Sequence, residues 1–190
     1  MIFLKKTKFN SLGEALKNPV NCRVLTLRFI EENLKFHGQS FEKLENLKEL
    51  FIQGDLNIWN DDEFGLPNEI GNLTKIEKLE LLNLPIIDFP QWILNLKRLK
   101  HLMIRGTELQ IIPNSIGQLS ELTTLRIENC PLKELPKNLK ELKKLKILGL
   151  SDTMLTEINK DYLPTNLKEI NLAGTVLYNI SDELMGRHLK

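Results

Sequence analysis

The sequence predicts an α/β solenoid: a curved stack of short units that pair their strands into one parallel sheet on the concave side. Three observations predict it. Thirty-eight of the 190 residues are leucine, so one amino acid supplies about half of the 42% hydrophobic fraction. Those leucines recur at a fixed period, and a second, proline-centred motif recurs in phase with them. The length suits a single domain, and 27% charged residues describe a soluble globular chain rather than a disordered one.

Charge and cysteine content exclude several classes of function. Twenty-six basic and twenty-five acidic residues leave a net charge of +1, so nothing at the level of the whole chain draws it to nucleic acid or to an anionic membrane. Two cysteines make no disulfide framework. Met1-Ile2-Phe3-Leu4 followed by Lys5-Lys6 is too short an apolar run for a signal-peptide core, and no run approaches the roughly 20 residues of a membrane helix. The expectation is a cytoplasmic protein, or a secreted one if a leader has been removed.

Residues 1–21 form an N-terminal cap in this reading. Ser11-Leu12-Gly13-Glu14 is a capping-box pattern that opens a short helix, and Asn18-Pro19 stops it. Such a helix covers the otherwise open apolar end of the first unit.

About seven units follow over residues 22–180. The frame L-x-x-L-x-L, with Ile or Cys as substitutes, starts at Cys22, Leu47, Ile76, Leu99, Leu122, Leu145 and Leu167. From Leu79 its middle leucine advances to Leu102, Leu125 and Leu148 in steps of 23, then to Ile170 in a step of 22. The first steps are longer, 25 from Leu25 to Leu50 and 29 from Leu50 to Leu79. In a short strand the period-2 leucines face one side and the residues between them face the other. The second half of each unit reads Leu66-Pro67, Phe89-Pro90, Ile112-Pro113 and Leu135-Pro136, each followed by an apolar residue three and six positions on. Proline ends the extended stretch because it fixes φ and removes a backbone donor.

Two linked half-motifs in phase over most of the chain resemble the leucine-rich repeat family, in its 23-residue subtype with a Leu-Pro-x-x-Ile half, known from intracellular animal, plant and bacterial proteins. The resemblance implies a right-handed superhelix, or horseshoe, with short helical or 3-10 turns on its convex face. It also implies a non-catalytic module that binds a protein or peptide on the concave face. Most of the family places Asn three residues after the second strand leucine, where its amide satisfies backbone groups. This chain has Asp55, Leu84, Thr107, Cys130, Thr153 and Thr175 there instead. Thr and Cys offer a weaker version of that ladder. Leu84 offers none, so the turn at Leu84 is expected to be distorted or its role taken by Asn83.

The step of 29 places six extra residues between Ile52 and Leu66, on the loop that leaves the strand along one rim. Loops held on rigid scaffolds often carry function, which makes Trp59, Asp61 and Asp62 candidate partner contacts. The competing reading has Trp59 and Phe64 folded over their own unit with the acids solvated. The acids lack the spacing of a calcium loop, and no metal or cofactor is expected. The chain ends in a fragmentary cap over residues 181–190, from Ser181-Asp182-Glu183-Leu184-Met185 into a basic tail.

No catalytic constellation is legible. His37, His101 and His188 lie in separate units or in the tail, and no H-E-x-x-H, G-x-S-x-G or phosphate-loop pattern occurs. Cys22 takes a core slot and Cys130 a ladder slot, so both read as packing residues. The outward positions are more informative. Phe51, Leu82 and Met103 are apolar in three consecutive units where the core needs no apolar residue, with His101, Arg105 and Arg126 beside them. Neighbouring strands lie about 4.8 Å apart, so the three are expected to form one patch of interface composition. The Gly149, Ser151 and Ala173 region is expected to offer little grip. Lys133, Lys137, Lys140, Lys143, Lys144 and Lys146 read as a solvated face without the interleaved aromatics that single strands need.

The resulting expectation is a protein or peptide partner, neither nucleic acid nor membrane, bound by a monomer. The rivals are a self-assembling structural protein and a bacterial host-directed effector or its interaction domain. Leu163-Pro164-Thr165-Asn166-Leu167 resembles effector repeats, although those have shorter units and an added ligase domain.

Overall fold

The computed structural model describes residues 7–28, 38–55 and 65–177. Trp59, Asp61 and Asp62 of the inserted segment, and the expected cap over 181–190, lie outside the described residues. Among the described residues eight strands form one sheet in chain order: β1 (Lys8–Phe9), β2 (Val24–Arg28), β3 (Glu49–Gln53), β4 (Lys78–Leu82), β5 (His101–Arg105), β6 (Thr124–Glu128), β7 (Ile147–Gly149) and β8 (Glu169–Asn171). Every neighbouring pair is parallel.

The register follows from the leucine frame. Leu25, Leu50, Leu79, Leu102, Leu125, Leu148 and Ile170 pair in one unbroken row. None is more than 2% exposed. A slip of one residue would turn this whole row out of the core, which is why the register is held so strictly. The step of 29 between β3 and β4 does not disturb it: Leu50 still faces Leu79, so the extra residues all fall in the connection.

Away from the sheet the chain returns through short 3-10 segments. Pro67, Pro90, Pro113 and Pro136 stand immediately before Asn68–Asn72, Gln91–Asn95, Asn114–Gln118 and Lys137–Glu141. Their φ values run from −60 to −71, the range the pyrrolidine ring imposes. Ile70, Ile93, Ile116 and Leu139 point inward from these segments and meet the strand leucines in one continuous core. Among the described residues no helix is long and apolar enough to cross a membrane.

The turns leaving the strands hold a feature that the leucine frame conceals. Asn83, Gly106, Asn129, Asp152 and Gly174 all adopt left-handed backbone, with φ of 52, 64, 49, 54 and 70. They occupy the same position of successive units and are residue types that tolerate this conformation. The turn before Leu84 is therefore neither distorted nor rescued by Asn83, contrary to expectation. Asn83 has the φ of its counterparts, and its side chain makes no hydrogen bond among the described residues. The backbone bond from Ile86 N to Leu84 O, 2.8 Å, repeats that from Leu132 N to Cys130 O, 2.8 Å. Left-handed backbone makes the turn, so the side chain three residues after the strand leucine is free to be the fully buried Leu84. Where that side chain is polar it does form a ladder. Thr153 and Thr175 donate to the carbonyls of Leu150 and Leu172 at 2.9 and 2.7 Å. Thr107 Oγ1 lies 3.2 Å from Cys130 Sγ.

At the N-terminal end, α1 (Leu12–Lys17) forms with Ser11 as its N-cap, the hydroxyl accepting from Glu14 N at 3.2 Å. Ala15 is its buried residue. Strand β1 pairs Phe9 with Leu25 and buries Phe9, adding to the sheet edge a strand the sequence pattern does not announce.

Candidate binding surface on the concave face

Alternation along each strand sends every second residue to the concave side. The burial pattern of β3 and of β4 shows it directly, with Leu50, Ile52, Leu79 and Leu81 buried between partly exposed neighbours. The predicted residues Phe51, Leu82, His101, Met103, Arg105 and Arg126 all stand on this outward side of β3 to β6. Phe51, Leu82 and Met103 are half-buried, while His101 and Arg105 are exposed.

The register corrects the expectation of one apolar patch. Phe51 pairs with Glu80, and Glu80 with Met103. Leu82 belongs to the next row, between Gln53 and Arg105. Parallel pairing brings together residues of one frame position, and the three apolar residues come from two positions. A charged residue, Glu80, stands between Phe51 and Met103 instead. Lys78 Nζ lies 2.9 Å from Glu80 Oε1 and 4.9 Å from the centroid of the Phe51 ring, so one ammonium serves a carboxylate and an aromatic face together.

A second pair occupies the other side of β5. Arg126 Nη1 meets Glu128 Oε1 at 3.0 Å, and the two side chains lie over Gly149. A Cβ at Gly149 would stand 2.5 Å from Glu128 Oε1 and 2.9 Å from Arg126 Cγ. Gly149 is thus the seat of an ion pair rather than a gap in the surface. Lys78, Glu80, Glu128 and Gly149 are the site residues that reading unit by unit misses; laying the units in register would have found them. Between the two pairs, β5 presents His101, Met103 and Arg105. The side chains of His101 and Arg105 make no hydrogen bond or ion pair among the described residues.

Both cysteines are buried thiols held in their protonated form. Burial pushes the Cys22 thiol up to about 11 against the opposing effect of Arg23, and Cys22 is fully buried. Burial also raises Cys130, more than the hydrogen bond with Thr107 lowers it. Among the described residues no three His, Cys, Asp or Glu side chains gather as metal ligands. The six lysines Lys133 to Lys146 are exposed, with Lys144 bound to Glu121 at 2.7 Å. A hollow of about 320 Å³, with Leu66, Pro85, Ile87 and Trp92 among its walls, lies at the turns after β3 and β4.

Parallel strands in strict register, returned by proline-led 3-10 segments, define a repeat solenoid. The chain belongs to the leucine-rich repeat family: residues 3–160 match the family described as a leucine-rich repeat region. None of the curated proteins matches its sequence. Among solved structures it is similar to a leucine-rich repeat protein of Leptospira interrogans, with 26% identity and a TM-score of 0.62 over 90% of this chain and 54% of that one. An internalin of Listeria monocytogenes shares the fold at 16% identity and a TM-score of 0.60, over 96% of this chain and 57% of that one. A plant peptide hormone receptor, solved in complex with its peptide, shares it at 20% identity and a TM-score of 0.62, over 88% of this chain and 27% of that one. The chain thus spans a little over half the length of the bacterial structures and about a quarter of the receptor.

Proposed function

We propose that this chain is a non-catalytic binding module whose concave face takes a protein or peptide. The observation that carries the reading is the row holding Phe51 and Met103: large apolar side chains, half-exposed, on the side of the sheet the core does not use. Apolar anchors with arginine alongside have the composition of interface hot spots. The peptide-bound plant receptor supports a peptide-sized partner by likeness of fold. Two buried, unpaired thiols suit a reducing compartment such as the cytoplasm.

The test is the double variant Phe51→Ala/Met103→Ala in affinity capture from the native lysate, with the bound proteins compared by mass spectrometry. Melting should stay cooperative, since neither residue belongs to the buried core. Capture of the partner should weaken by roughly tenfold or more if each anchor contributes about 1 kcal/mol. Unchanged capture excludes this face.

A further inference from the structure

The near-neutral chain is not evenly neutral in space. The connections that feed the strands carry, at the two positions before each unit's first frame residue and the one after it, ten basic and three acidic residues over seven units. Lys97, Arg98 and Lys100 crowd one such turn and Lys143, Lys144 and Lys146 another. The turns that leave the strands are the reverse: over 83–89, 106–112, 129–135 and 152–158 there are five acidic residues against Lys133 alone. Because all strands are parallel, the two sets stand at opposite ends of the sheet. Positive charge therefore gathers along one rim and negative charge along the other. Glu77 registers the basic field: a hydrogen bond from Lys100 at 2.7 Å, with Lys48 and Arg98 near, holds its carboxyl below the usual range.

The centre of the concave face is asymmetric in the same sense. On β4 and β6 the outward carboxylates are already matched, Glu80 by Lys78 and Glu128 by Arg126. On β5, between them, the Arg105 guanidinium is exposed and bound to no side chain among the described residues. Glu128 stands beside Arg105 in the register yet is held by Arg126. Among the outward strand positions the next unmatched acid is Glu49, two strands away on β3, while Glu108 follows in the turn that leaves β5. The face thus neutralises its own central acids and leaves a permanently charged donor unmatched.

We propose that the concave face takes an acidic protein segment, with carboxylates set by Arg105 and His101 and its acidic part extending over the basic rim at Arg98 and Lys146. This rests on the concave face being the binding surface and adds the chemistry of its partner. The charged rims supply the orientation: the basic turns attract the acidic part and the acidic turns repel it. A protein segment fits better than a nucleic-acid strand, because the basic turns 97–100 and 143–146 contain no aromatic residue for bases to stack on.

The probe is a fluorescein-labelled hexaglutamate peptide, followed by anisotropy at about 0.15 M salt, where charges more than about 8 Å apart are screened. Hexalysine and an oligothymidylate of equal length are the comparisons. Hexaglutamate should bind saturably and best of the three. Arg105→Glu and Arg98→Glu/Lys100→Glu should each weaken it roughly tenfold, and Lys137→Glu/Lys140→Glu, with the same change of charge or more but in the 3-10 segment Lys137–Glu141 away from the sheet and both rims, should leave it within about twofold. Equal losses in that control, or tighter binding of the oligothymidylate, overturn the proposal. So does salt-sensitive self-association of the chain alone in light scattering, since the acidic rim of a second copy would then be the occupant. If hexaglutamate fails while Phe51→Ala/Met103→Ala still weakens capture of the native partner, the acidic chemistry falls and the concave site stands.

Discussion

Gly106→Ala tests whether left-handed backbone, rather than a polar side chain, makes the turns. Gly106 sits at φ 64, and a Cβ there would run into Asn83 Oδ1 of the preceding unit. An L-residue with a Cβ costs about 1–2 kcal/mol in this conformation. The collision adds little once the Asn83 amide, which holds no hydrogen bond, swings away. For a chain of this size 1 kcal/mol shifts the midpoint by about 2–4 °C, so Gly106→Ala should melt about 2–8 °C below the parent by differential scanning calorimetry. Gly13→Ala is the internal control. Gly13 lies in α1 with nothing within 4 Å of the added Cβ, so the same replacement should gain about 0.4–1 kcal/mol there. Asn83→Gly/Gly106→Asn exchanges two tolerated residue types and should recover much of the loss. Gly106→Ala melting with the parent would refute the account of the turns.

Three further outcomes follow from the core and the face. Leu79→Ala, at a fully buried strand position, should destabilise by about 2–5 kcal/mol in urea titration, with the exposed-surface slope unchanged if the array still unfolds as one. The raised Cys22 thiol makes stability fall in alkali: below about 9 both folded and unfolded thiols are protonated, and the unfolded thiol then ionises first as pH climbs towards about 11. Cys22→Ala should flatten the decline of the urea midpoint across that window. Gly149→Ala should displace the Arg126–Glu128 pair, costing about 1–3 kcal/mol because Glu128 is buried and loses its partner, and should shift the Arg126 Nε–H resonance in NMR.

The strands were legible because leucine has one inward slot per turn of the frame, and a slot that repeats is visible without knowing what fills the space around it. Pro67, Pro90, Pro113 and Pro136 were legible for the same reason, since a fixed φ acts locally. Strand β1 was not, because Lys8–Phe9 is too short to show alternation and is held by pairing with β2. The left-handed positions left a trace, Asn83, Gly106, Asn129, Asp152 and Gly174 in steps of 23, 23, 23 and 22, but it is spread over three residue types and hides behind the leucines. The candidate face was half legible. Which residues point outward follows from alternation, whereas which of them touch follows from register, and Glu80 between Phe51 and Met103 shows how much that second step changes.

The constant step from β4 to β7 has a genetic meaning as well. Any 23-residue window cut from this stretch would bring the frame of one unit against the frame of the next but one, with strand, turn and return still in phase. Duplication or loss of such a window would lengthen or shorten the horseshoe without demanding a new core.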